Sequence, residues 1–286
     1  MQFLFILICS IMSCIKVTTQ GYIAKENVRN TKDSVFANCV VFAFTAIIFS
    51  VSLRNKFDWN IIYYALFFGI FSSSFQIFYA LALEAGPFSA TCMTINLSMI
   101  VPIIFSLIFL GEKLTVAKVI GMSLCLFALF LNSRSDGRKI NIKWIFYLLM
   151  AFFSTGAGIS ITQKLFAKSP YASQIEQFVF LGYIFAFLIT FIVVLIQNKT
   201  QEKRNFSLSR KNVLLIVIIA ACLGIYQYFK TFADSFVDAI VLNPSISGLA
   251  TTLQMLSGRI IFKEKFTIRQ IISMCIGISA ILMMSI

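Results

Sequence analysis

Histidine is missing from this chain altogether. Its absence excludes Ser-His nucleophilic and His-metal mechanisms, and it removes the side chain that usually carries protons near neutral pH. No Gly-x-x-x-x-Gly-Lys-Ser/Thr loop occurs, so ATP is not the direct energy source. No Cys-x-x-Cys pair occurs either; the seven cysteines are scattered through apolar segments and read as small buried hydrophobes. No basic residue precedes the opening apolar run, "MQFLFILICSIMSC", and no small-x-small cleavage pattern follows it, so it is expected to stay as a first helix rather than be removed as a signal. Charge is scarce: 12% of the 286 residues are Asp, Glu, Lys or Arg, against roughly 25% in soluble domains.

What is present is apolar length. Hydrophobic residues make up 59% of the chain, with a mean hydropathy of +0.90. Runs such as Val35 to Leu53, Ile61 to Leu83, Phe88 to Leu110, Trp144 to Gln163, Phe178 to Ile196 and Ala239 to Gly258 hold no charged residue. Each is long enough to cross ~30 Å of hydrocarbon as a helix. Lipid offers no partner for loose backbone groups, so such runs are helical. The expected fold class is all-α integral membrane. The formal charge of +13 sits mostly in short links between these runs, where it meets headgroups and signals topology. The bilayer is therefore the expected partner, and nucleic acid is not.

The chain also repeats itself. "LGEKLT" (Leu110 to Thr115) returns as "FKEKFT" (Phe262 to Thr267), placing Glu112 and Glu264 152 residues apart. "TTQGYIAK" (from Thr18) returns as "ITQKLFAK" (from Ile161), and "FQIFYALA" (from Phe75) as "YQYFKTFA" (from Tyr226). Self-similarity at a fixed offset marks two copies of one unit, here 1–136 and 137–286. Five helices are predicted in each: Gln2 to Ile23, Val35 to Leu53, Ile61 to Leu83, Phe88 to Leu110 and Val116 to Leu131, then Trp144 to Phe166, Phe178 to Ile196, Val213 to Asp234, Ala239 to Ile261 and Ile268 to Ser285. An odd number of crossings makes the second unit enter from the opposite side. Ten transmembrane helices as two inverted five-helix repeats is the expected plan, one that many secondary transporters share.

The stretch "GPFSATCMTINLSMIVPIIFSLIFLGEKLTVAKVIG" (Gly86 to Gly121) resembles the fourth and fifth helices of an EamA unit, in the drug/metabolite transporter superfamily. It has Gly86-Pro87 opening a helix, Pro102 within it, Gly-Glu-x-Leu-Thr at its end and Gly121 in the next. The second copy keeps Glu264 and Thr267, with Lys263 for the Gly and Gln254 where Pro102 would fall. The resemblance implies export of a small metabolite, across families of amino acids, drugs and sugars, and both termini in the cytoplasm. The positive-inside count puts the termini outside, because Lys25, Arg29, Lys199, Lys203, Arg204 and Arg210 are among the many basic residues in the opposite loops. The side stays open between the two.

A charge placed at mid-bilayer costs at least ~2.5 kcal/mol, so polar groups inside helices mark candidate sites. Lys16 and Gln20 share a face of the first helix, and Gln163 repeats the glutamine in the sixth. Gln76 and Tyr79 lie in the third. Gln227, Lys230 and Asp234 form a stripe in the eighth, with Thr231 and Asp238. With Asn96, these nine residues, Lys16, Gln20, Gln76, Tyr79, Asn96, Gln163, Gln227, Lys230 and Asp234, are the expected substrate-binding groups. An ion-pair network that only locks helix packing is the alternative. Glu112 and Glu264 are expected to be structural, each in a charge pair at a turn before a Thr that caps the next helix. Pro102 and Pro244 are expected to kink their helices.

The expectation is a permease in a bacterial plasma membrane, moving a small-molecule substrate such as an amino acid by alternating access to a central cavity. It needs no cofactor or metal and is not an enzyme; Asp234 and Asp238, on adjacent turns of one helix, lack the two-sided geometry of an aspartyl pair. A non-transporting structural or receptor subunit is the rival reading, and monomer and homodimer both stay open.

Overall fold

In the computed structural model the residues described are 2–28, 30–51, 58–111, 115–133, 142–197, 206, 209–264 and positions 268, 271–272, 275–276 and 279–280. Every regular element among them is helical. We number the helices α1 (Gln2–Asn27), α2 (Thr31–Ser50), α3 (Ile62–Ala85), α4 (Phe88–Phe109), α5 (Val116–Ser133), α6 (Ile142–Ala167), α7 (Ile175–Gln197), α8 (Arg210–Asp234) and α9 (Ala239–Ile261). Eight of them, all but α5, are long and apolar enough to cross a membrane. The chain is thus an integral, multi-pass membrane protein. The expected tenth helix, from Ile268, lies largely outside the described residues.

Polar punctuation sets the helix starts earlier than hydropathy predicts. α2 begins at Thr31 rather than Val35 because Asn30 Oδ1 accepts from the Asp33 amide at 2.9 Å, satisfying one of the orphan donors of the first turn. α8 begins at Arg210 rather than Val213 because Ser209 accepts from the Asn212 amide. Pro87 occupies the N-cap of α4.

Two helices depart from α geometry. Within α4 a 3-10 turn at Leu97–Met99 separates Phe88–Asn96 from Ile100–Phe109. Pro102, just after it, has no N–H to give the carbonyl of Ser98, so the ladder tightens there. α9, by contrast, runs through Pro244 as one α-helix. The second irregularity is a π-helical segment, Ser154–Ser160, in the middle of α6. Its sequence, STGAGIS, supplies two glycines, and Ser154 Oγ bonds back to the Met150 carbonyl at 2.7 Å, competing with the regular ladder.

Helix packing crosses between the halves. α1 lies chiefly against α8 and α9, while α6 lies against α3 and α4; α3 packs on α7, and α8 on α2; α2 meets α7, and α4 meets α9. Exchanging α1 to α4 with α6 to α9 leaves this pattern unchanged. Lipid tails are as apolar as leucine, so such contacts hold by close fit rather than by removal from water. Gly69 shows the fit: a Cβ there would lie 2.7 Å from the Gly182 carbonyl. Around this approach Phe68, Phe178, Phe166, Tyr183 and Phe42 interlock, with Phe166 and Phe178 stacked at 4.1 Å and Phe68 edge-on to Tyr183 at 5.7 Å.

Candidate functional site

Where α1, α3, α4, α6, α8 and α9 converge they line a partly open cavity of about 80 Å³. α2 and α7 do not reach it; they brace the bundle from outside. Repeat-related positions line it from both halves, among them Lys16 and Ile159, Val17 and Ser160, Phe75 and Tyr226, and Tyr79 and Lys230. A helix carrying this many polar groups cannot turn them to lipid, because each unsatisfied group there costs several kcal/mol. The convergence on one interior space is the low-energy arrangement.

Of the nine groups expected to bind substrate, Lys16, Tyr79, Asn96, Gln163, Gln227 and Lys230 line this space. Gln20, Gln76 and Asp234 do not. Lys230 Nζ lies 2.9 Å from Asp234 Oδ2, and both side chains are almost wholly buried, so Asp234 stands behind the wall as the counter-ion of a residue in it. Lys16 Nζ sits over the ring of Phe75 at 5.2 Å and that of Tyr79 at 5.8 Å. The two rings stack on each other at 5.1 Å, which gives the ammonium a continuous aromatic face.

The two glutamine pairs diverge. Gln163 donates through Nε2 to Gln227 Oε1 at 2.7 Å and to Thr231 Oγ1 at 2.8 Å, joining α6 to α8 beside the cavity. The corresponding pair in the first half makes a longer bond, from Gln20 Nε2 to the main-chain carbonyl of Gln76 at 3.5 Å. That carbonyl also accepts from Asn38 at 3.2 Å, and Gln20 lines a separate, mainly apolar pocket with Ile23, Val41 and Ile219. Sequence position alone treats the two pairs alike; the packing against α2 separates them. On the opposite wall Asn96 donates to Thr251 Oγ1 at 2.6 Å and to Gln254 Oε1 at 3.0 Å, and Gln254 reaches Ser13 Oγ at 3.4 Å. This chain of bonds ties α4, α9 and α1 together at the cavity.

Glu264 reaches further than its own turn. Its carboxylate accepts from the amides of Phe88 at 2.9 Å and Ser89 at 3.2 Å, and from the Ser89 hydroxyl. It therefore caps α4 from the other half of the chain, where the helix dipole favours an anion. The partners expected for it, Lys265 and Thr267, lie outside the described residues, as do Glu112 and Lys113. The turn that aims Glu264 is left-handed: Lys263 has φ +53°. Gly111, its counterpart in the repeated phrase, has φ +66°. Both copies thus use the same terminating geometry.

Lys164 and Asp33 are among the buried charges that were not expected. Lys164, which hydropathy places near a loop, is 1% exposed and donates to the Val237 carbonyl at 2.9 Å. Asp33 is fully buried and accepts from the Phe206 amide at 3.0 Å. Both lie at helix ends, where the sequence gives no sign of which backbone group a charged side chain will meet.

No curated protein matches the chain. A solved structure described only as "Crystal structure of protein" has a similar fold, with a TM-score of 0.68 at 15% identity, over 97% of this chain and 98% of its own. Residues 3–134 match the family model described as EamA-like transporter family. That match lies in the first half of the chain, which is similar to this transporter family.

Proposed function

We propose that this protein is a secondary transporter that exports a small metabolite, such as an amino acid or a related compound, by alternating access. In this reading residues 1–136 and 137–286 form two five-helix repeats of opposite membrane orientation, ten helices in all, and the cavity lies on the axis between them. The observation that carries it is the central space lined by α1, α3 and α4 of one half and by their counterparts α6, α8 and α9 of the other. Packing that is unchanged when the halves are exchanged supports a two-fold relation. A binding space at the repeat interface is where carriers of this plan hold substrate while one bundle rocks against the other. Lys16, Tyr79, Asn96, Gln163, Gln227 and Lys230 are the proposed contacts, with Asp234, Gln20 and Gln76 holding them in place. Pro102 and the π-helical segment of α6 supply the interrupted helices along which the halves move.

The test is accessibility from each side. In a variant lacking the native cysteines, Ser13→Cys and Ser247→Cys are exposed in sealed vesicles to a membrane-impermeant thiol reagent applied outside or trapped within. Alternating access requires labelling from both sides. Labelling from one side only, together with no efflux of any solute from vesicles loaded with mixed amino acids, nucleobases and cationic dyes, would leave the receptor or structural reading in its place.

A further inference from the structure

Building on the transporter reading of the same cavity, we propose that Lys16 is the anchor for an anionic group, and that the substrate is a small monocarboxylate carrying a hydroxyl or amino group. The two cavity lysines are equally buried, each 5% exposed, but only one is neutralised. Lys230 has Asp234 at 2.9 Å. Lys16 has no carboxylate and no hydrogen-bond acceptor among the described residues; its neighbours are the faces of Phe75 and Tyr79. Ring faces stabilise an ammonium without taking up its three N–H donors, so those donors are left for a ligand.

An uncompensated buried charge is costly, and proteins pair it, ligate it or neutralise it. A carboxylate entering the cavity supplies the missing partner through charge-assisted hydrogen bonds. One spare positive charge balances a monoanion; a phosphate dianion would bring a second negative charge with nothing facing it. The rest of the ligand is read from Gln163. Both of the hydrogen bonds described for that side chain go out through Nε2, while its buried Oε1 has no partner. Gln163 lines the cavity, and an O–H or N–H donor on the substrate is the partner that would satisfy this acceptor.

The experiment uses the full chain, purified in detergent micelles, with L-lactate, 3-phenyllactate, their neutral amides and inorganic phosphate as probes. Ligands that bind the folded state raise its unfolding temperature by mass action, and titration calorimetry gives the affinities. The two carboxylates are expected to stabilise the protein, the amides and phosphate to have no effect. Lys16→Gln is expected to weaken carboxylate binding by about tenfold or more, the loss of one hydrogen bond to a charged group, and Lys16→Arg to retain it. Equal binding of lactate and lactamide, preference for phosphate, no response to either carboxylate, or undiminished carboxylate binding by Lys16→Gln each overturns the anion assignment. Should Lys16→Gln not fold, the carboxylate-amide contrast on the unmodified chain and on Lys16→Arg decides alone. Because labelling from two sides requires no ligand, a protein that alternates yet prefers amides or cations refutes this assignment and leaves the carrier reading standing.

Discussion

Lys230 and Asp234 form a buried i,i+4 ion pair at 2.9 Å in the last turns of α8. Asp234 ends that helix, where the dipole opposes a carboxylate, so the pairing offsets an unfavourable placement as well as a buried charge. Only Lys230 faces the cavity; the pair therefore couples a cavity-lining residue to helix packing.

Removing one member should cost more than removing both. Asp234→Asn strands the ammonium, and a broken buried pair costs on the order of 3 kcal/mol. We expect thermal unfolding in micelles to fall furthest for Asp234→Asn and to recover in Lys230→Met/Asp234→Asn. Efflux should be lost in Lys230→Ala and in Asp234→Asn, with membrane insertion retained. Wild-type efflux in both would assign the pair to packing alone.

The cap on α4 can be tested locally. Glu264→Ala removes the acceptor of the Phe88 and Ser89 amides and should destabilise the protein by about 1–2 kcal/mol. Amide hydrogen exchange should quicken at those two residues first. Unchanged protection there would mean that the first turn of α4 is held by its tertiary packing.

Lys263 adopts a left-handed backbone that glycine reaches without penalty. Lys263→Gly should raise stability by about 1 kcal/mol, and Gly111→Ala should lower it by a similar amount. Calorimetry on the two variants reads opposite signs; a loss of stability in Lys263→Gly would show that its side chain holds the turn.

Gly69 fits against the Gly182 backbone with no room for a larger group. Gly69→Leu should force α3 from α7 and cost about 1–3 kcal/mol, read as a lower unfolding temperature, while a lipid-facing control such as Phe67→Leu, on an exposed position, should change it little.

The bundle was legible from sequence because lipid imposes one rule on every span: apolar length and internal hydrogen bonding. The hydropathic runs correspond to α1 to α4 and α6 to α9, and the shared phrases around Glu112 and Glu264 led to the repeat. Non-local contacts were not legible. Nothing in "FKEKFT" tells that Glu264 meets Ser89, 175 residues away. The stripe of α8 was visible, yet its division into Lys230 in the wall and Asp234 behind it depends on how α8 packs among its neighbours. Gln20 and Gln163 occupy one repeat position with the same residue, and only their neighbours send one to an apolar pocket and the other to the cavity. The π-helical segment of α6 is foreshadowed only by its paired glycines, Gly156 and Gly158.

Interleaved packing has a consequence for biogenesis. Since α1 rests on α8 and α9 and α3 rests on α6 and α7, the amino-terminal half leaves the ribosome without the helices on which two of its own pack. It must wait in the bilayer, half-assembled, until the carboxy-terminal half is made. Severed halves synthesised together should therefore reassociate, and either one alone should be degraded.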